Sequence, residues 1–232
     1  MSKNPGFTVW FTGMLGTGKT TLAAYISARL RQVGRNVEVL DENDLADDLW
    51  KGAGESKEDR NMIVRRLGSV ANLLSRNDVA VLAASVSPYK APREENRRLI
   101  GRYLEVYVDC PTEKLIQRDS TGKYKKALSG EIPNFIGITE PYEPPSSPEV
   151  IIHSDIESVE DGARKVFQAL LDLSLVSAEE LKVITGKRMK ANPVARKARR
   201  GSAPSKGVRK AARPAARAAR VVKKAAGKRK GR

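Results

Sequence analysis

FTVWFTGMLGTGKTT, residues 7–21, decides the fold. Its first six residues, Phe7 to Thr12, are aromatic and β-branched and predict a short strand. The next eight, Gly13-Met14-Leu15-Gly16-Thr17-Gly18-Lys19-Thr20, match G-x-x-x-x-G-K-[ST] at every defined position. The glycines let successive backbone N–H groups turn inward onto phosphate oxygens, and the helix that starts here adds its positive end. Lys19 can reach the β- and γ-phosphates and Thr20 can offer its hydroxyl to Mg²⁺, with Thr21 completing the candidate set. The donor implied is ATP.

Downstream, Lys19–Gln32 carries Leu22, Tyr25, Ile26 and Leu30 at helical spacing, and Gly34 ends it. Residues 36–40 read as a second strand with Asp41, Glu42 and Asp44 at its carboxyl end. Ser56 followed by Asp59 marks a helix start continued by Ile63, Leu67, Val70 and Leu74. DVAVLAASV (78–86) is a continuous apolar run, as expected of a strand covered on both faces. A charged helix over 93–103, a strand over 103–109 and a helix start at 112–118 follow. Residues 119–149, rich in Gly, Pro, Ser and Lys, read as a long loop or lid. Residues 150–153 make a last strand and 156–173 a last helix. Alternating strands and helices predict the α/β class, a three-layer P-loop NTPase fold with a mostly parallel sheet and helices on both faces. Ligands bind such sheets at the carboxyl ends of the strands, so chemistry belongs to loops 13–20, 41–46, 87–93 and 109–140.

The net charge of +16 over 232 residues suggests a nucleic-acid binder, but the charge is not evenly spread. Lys187 to Arg232 holds 19 basic residues and no acid, which leaves 24 basic and 27 acidic residues in 1–186. The reading is a kinase domain over 1–180 and a basic low-complexity tail over 187–232, expected to be disordered because it lacks large apolar residues. Its charge could release counterions from DNA or RNA, giving non-specific polyanion contact. The single cysteine, Cys110, cannot form an internal disulfide, and no signal-peptide layout or membrane-span window occurs. A cytoplasmic protein without membrane contact is expected.

Two further groups could carry chemistry. A carboxylate at the end of the second strand, Asp41, could hold Mg²⁺ or accept a hydroxyl proton. The basic residues Arg118, Lys123, Lys125 and Lys126 could stabilise a transferring phosphoryl group under a closing lid. His153 receives no role.

GMLGTGKTT (13–21), SKEDRNMIVRRLGSVANLL (56–74), SVSPYKAPREENR (85–97), VYVDCPTEKLIQRDSTGKYKKALSGEI (106–132) and FIGITEPYEPP (135–145) together resemble the adenylylsulfate kinase family, which phosphorylates the ribose 3′-hydroxyl of adenosine 5′-phosphosulfate with ATP in sulfate assimilation. The resemblance spans about residues 5–175. It implies an ATP–Mg²⁺ site at Gly13–Thr20, Asp41 as metal organiser or base, Arg60 as a substrate-facing arginine, and Ser87 as the serine the family's tradition marks as a phosphoserine intermediate. It places Arg118, Lys123 and Lys126 in the lid and Phe135 as an aromatic wall for the substrate base. The chain also departs from the family pattern. Its DGDNVR reads Asp41-Glu42-Asn43-Asp44-Leu45-Ala46, so a second carboxylate is Asn43 and an arginine is Ala46. An asparagine is Ile63, and the aromatic residue of FISPY is Ser85.

Three functions follow as expectations. The first is phosphoryl transfer to adenosine 5′-phosphosulfate. The second is a paralogous kinase acting on another small hydroxyl acceptor, since a cation, an amide and a ring are replaced. The third is a nucleic-acid-associated NTPase that uses the tail. The oligomeric state stays open, a homodimer included.

Overall fold

The computed structural model describes residues 4–187 and 189–191. Most of the basic tail, with the expectations of disorder and polyanion contact, lies outside the described residues. The part of it that is described touches the body: Met189 packs against the core, and the Lys190 carbonyl accepts a hydrogen bond from Gln168.

The elements run β1 (Phe7–Thr12), α1 (Lys19–Gln32), β2 (Val37–Asp41), α2 (Ala46–Leu49), α3 (Lys57–Ser75), β3 (Ala80–Ala84), α4 (Lys90–Ile100), β4 (Tyr103–Asp109), α5 (Thr112–Arg118), α6 (Lys123–Leu128), β5 (Val150–His153), α7 (Val159–Asp172) and α8 (Ala178–Thr185). The strands form one sheet in the order β2-β3-β1-β4-β5, every neighbouring pair parallel. All residues of β1 and β3 are buried, because helices cover both faces. On one face Val9, Phe11, Leu82 and Val106 pack with Leu22 and Ile26 of α1 and with Val166 and Leu170 of α7. On the other, Trp10, Val81 and Tyr103 pack with Val64, Leu67 and Ala71 of α3.

Local chemistry sets the helix starts. The Ser56 hydroxyl accepts from Asp59 N–H, as the S-x-x-D pattern predicts. Ser158 does the same for α7, and Ser177 with Glu180 forms a reciprocal capping box on α8. The charged helix α4 begins at Lys90 rather than at 93. The lid is not an unbroken loop, since residues 123–128 form α6. Asp119 organises this turn by accepting from Thr121 N–H and Tyr124 N–H.

Arg93 is 1% exposed, 3.3 Å from Glu105, and donates to the carbonyls of Ser87 and Glu143. It ties the loop after β3 to the segment after the lid. Among the described residues no helix is long and apolar enough to cross a membrane.

Candidate active site

The parallel register brings the ends of β1, β2, β3 and β4 to one edge of the sheet, and the phosphate loop rises there. Gly13 needs its glycine: a Cβ at that position would lie 2.2 Å from the Val108 carbonyl oxygen. The loop therefore sits directly on β4.

Lys19 is nearly buried, and its Nζ donates to the carbonyls of Gly13 (2.9 Å) and Met14 (2.7 Å). Burial lowers its pKa to about 8, against the opposing pull of Glu42 and Asp41. Thr20 Oγ1 donates to Asp41 Oδ2 at 2.5 Å. The other oxygen of Asp41 accepts from the backbone N–H (2.9 Å) and side-chain amide (3.1 Å) of Asn43. A hydroxyl and a carboxylate meeting at the phosphate loop are the hard oxygen donors that suit Mg²⁺.

Glu42 does something that its place beside Asp41 does not reveal. Its Oε2 accepts from Ser85 Oγ (2.6 Å) and Val86 N–H (2.9 Å), joining the ends of β2 and β3. The position that departs from the aromatic pattern, Ser85, is thus engaged by Glu42. Ile63 and Ala46 lie elsewhere: they pack in the apolar cluster of Leu40, Trp50 and Leu67 and do not line the cavity.

One cavity of about 520 Å³ takes in Leu15, Gly16, Gly18, Lys19, Thr20 and Thr21 of the phosphate loop and α1, with Asp41, Glu42 and Ser85 at the strand ends. It continues to Arg60, Lys123, Phe135 and Ile136. Arg60 is held by the carbonyls of Glu55 (3.1 Å) and Asn134 (2.8 Å), so it bridges α3 to the lid. Arg118 lies apart, in a smaller cavity of about 150 Å³ with Gly16, Thr17, Gly18, Thr21 and Val159. Its guanidinium donates to the Ser154 carbonyl at 3.0 Å. Arg118 thus flanks the far side of the phosphate loop.

Of the expected residues, Gly13, Met14, Thr17, Ser87, Arg118 and Lys126 do not line the main cavity. Lys126 is exposed and does not line it. Met14 turns its sulfur onto Gly137, where an added Cβ would lie 2.3 Å away. Ser87 is fully buried: its Oγ accepts from Trp10 Nε1 at 3.0 Å and donates to Thr12 Oγ1 at 2.9 Å. Its φ is 37°, and its carbonyl accepts a hydrogen bond from Arg93. The hydroxyl bonds to Trp10 and Thr12 of β1 and does not line the main cavity, and the phosphoserine role stays a proposal that Ser87→Ala tests.

Tyr124 was not among the expected site residues. It is 1% exposed, meets Phe135 edge-on at 4.9 Å, and donates its hydroxyl to the Leu15 carbonyl at 2.7 Å. Burial and the nearby Asp119 raise the pKa of its phenol, which therefore stays a donor.

A sequence profile of the adenylylsulphate kinase family matches residues 5–153. The chain is 45% identical over 175 residues to adenylyl-sulfate kinase of Rippkaea orientalis, covering 75% of this chain and 97% of that one. It is 48% identical over 171 residues to a probable bifunctional SAT/APS kinase 2 of Sorangium cellulosum, covering 74% of this chain and 29% of that longer protein. The structure of Mycobacterium tuberculosis APS kinase in complex with AMPPNP and APS matches with a TM-score of 0.69 at 34% identity, covering 72% of this chain and 98% of that one.

Proposed function

Because the chain belongs to the adenylylsulphate kinase family, and so is a kinase that moves phosphate onto a hydroxyl, we propose that it transfers the γ-phosphoryl group of ATP to the 3′-hydroxyl of adenosine 5′-phosphosulfate. The observation that carries this reading is the single cavity joining Lys19, Thr20 and Asp41 to Arg60, Lys123 and Phe135. Its volume of about 520 Å³ lies in the range of small-molecule sites.

The roles follow from the geometry. Backbone N–H groups of Gly16 to Thr20 cradle the phosphates at the start of α1. Lys19 exchanges the carbonyls of Gly13 and Met14 for phosphate oxygens and offsets charge on the moving group. Thr20 and Asp41 would hold Mg²⁺, which when bound supplies charge neutralisation on the phosphates. Arg118 borders the nucleotide side. Arg60 and Lys123 provide cations at the rim of the acceptor half, and Phe135 provides a flat face for a base.

A second reading is another small hydroxyl acceptor. It draws on the engagement of Ser85 by Glu42 and on the apolar packing of Ala46 and Ile63. One assay separates the two: purified chain, ATP, Mg²⁺ and adenosine 5′-phosphosulfate, with ADP release followed alongside chromatography of the product. A 3′-phosphorylated product formed in step with ADP is expected. Turnover restricted to a different hydroxyl acceptor would move the function to the second reading.

A further inference from the structure

We infer that Tyr124 is a positioning residue through which the phosphate loop sets the wall of the acceptor half. The inference rests on the acceptor half being as proposed above, but its geometry is independent of which acceptor binds.

The phosphate loop touches the lid at two points. Tyr124 OH donates to the Leu15 carbonyl at 2.7 Å, and Met14 Sδ fills the space where a side chain on Gly137 would stand. Between these points sits a small apolar cluster of its own. Cys110, Leu115 and Tyr124 are its buried members, with Met14, Leu15, Phe135 and Ile138 packed on it. It is separate from the two large clusters that hold the sheet. Lid and phosphate loop therefore share packing that the rest of the core does not.

Tyr124 has little freedom within that cluster. Asp119 Oδ2 holds its backbone N–H at 2.7 Å, its ring meets Phe135 edge-on, and its hydroxyl reaches the loop. Phe135 in turn is the hub of the lid turn: its carbonyl accepts from the N–H groups of Ile138, Thr139 and Glu140. A shift of the Leu15 carbonyl is passed through one rigid ring to Phe135 and from there to three backbone amides. Nucleotide binding is the event that reorganises this loop, because Lys19 now occupies the neighbouring Gly13 and Met14 carbonyls and must leave them to reach phosphate.

The test is Tyr124→Phe, which removes the hydroxyl and keeps the ring against Phe135. Hydrogen exchange is measured over 135–140 with and without a non-hydrolysable ATP analogue and Mg²⁺, which needs no acceptor. Wild type is expected to gain protection there on nucleotide binding, and Y124F to lose most of that gain while holding nucleotide within about twofold of wild type. Adenosine 5′-phosphosulfate affinity is then measured with and without the analogue. The enhancement by nucleotide is expected to fall roughly fivefold in Y124F, the scale of one lost hydrogen bond. Equal protection in the two proteins overturns the inference, and so does a wild type whose lid amides ignore nucleotide, whatever Y124F does. If wild type binds no adenosine 5′-phosphosulfate, the proposed acceptor falls instead, and the exchange data still decide the role of Tyr124.

Discussion

Thr20 Oγ1 donates to Asp41 Oδ2 at 2.5 Å, across 21 positions of sequence, and so links the first turn of α1 to the end of β2. The pair lies at the phosphate loop with Lys19. Asp41→Asn keeps the size but removes the charge and leaves one acceptor oxygen where the carboxylate has two. It is expected to lower kcat and to raise the Mg²⁺ concentration for half-maximal rate by roughly 10- to 100-fold. A Mg²⁺ titration of turnover in wild type and D41N checks this. An unchanged midpoint would remove Asp41 from the metal.

Lys19 gives a pH dependence with a defined sign. Burial places its pKa at about 8, below the ordinary 10.5. Phosphate needs the charged form, so ATP affinity is expected to weaken as pH rises through about 8, and Lys19→Met should bind weakly with no such dependence. Stability moves the other way. Between about 8 and 10.5 the unfolded chain holds the extra proton, so folding is favoured as pH rises through that window. Calorimetric titration of ATP and thermal melts from about pH 7 to about pH 10 read both effects.

Ser87 separates a structural role from a chemical one. Its hydroxyl is bonded to Trp10 and Thr12, and the residue is fully buried. Ser87→Ala is expected to cost about 1–3 kcal/mol of stability and to leave kcat of the folded enzyme near wild type. A melt and a rate on the same preparation decide it. Loss of turnover with an unchanged melting temperature would restore Ser87 to the chemistry.

Glu42 joins β2 to β3 through Ser85 Oγ and Val86 N–H. Glu42→Gln can still accept both bonds, whereas Glu42→Ala leaves the nearly buried Ser85 hydroxyl without this partner. The alanine variant is expected to lose about 1–3 kcal/mol, a fall of roughly 2–4 °C in Tm per kcal/mol for a chain of this size. The glutamine variant should lose clearly less. Equal losses in the two would mean that charge, not bonding, is what Glu42 supplies.

For the tail we propose polyanion contact. Deleting 192–232 removes 16 of the 19 basic residues and spares Met189 and Lys190, which touch the body. Retention on heparin or DNA at moderate salt is expected to vanish, with kinase turnover unchanged. Retention that survives the deletion would move the contact to the body.

Much of this was legible from residue order because it depends on local rules. FTVWFT followed by GMLGTGKT specifies a buried strand, a phosphate loop and a helix start, since strand burial, glycine freedom and helix polarity act over a few residues. The covered parallel sheet follows from DVAVLAASV and the alternation around it. The S-x-x-D start of α3 was likewise readable from hydrogen bonding three residues apart. Ser87, Glu42 and Tyr124 were not readable in this way. Ser87 looks available in SVSPY, yet it is fully buried with its hydroxyl bonded to Trp10 and Thr12 of β1. Glu42 looks like one more loop acid, yet the register Asp41↔Ala84 sets it beside Ser85. Tyr124 sits in a basic lid segment, yet it reaches a carbonyl 109 positions away. Each of these roles is a contact between distant segments, set by sheet register and packing, and no spacing rule along the chain encodes it. Residue order therefore determined the donor site and the architecture, while folding in three dimensions determined which neighbouring side chains face that site and which are sealed away from it.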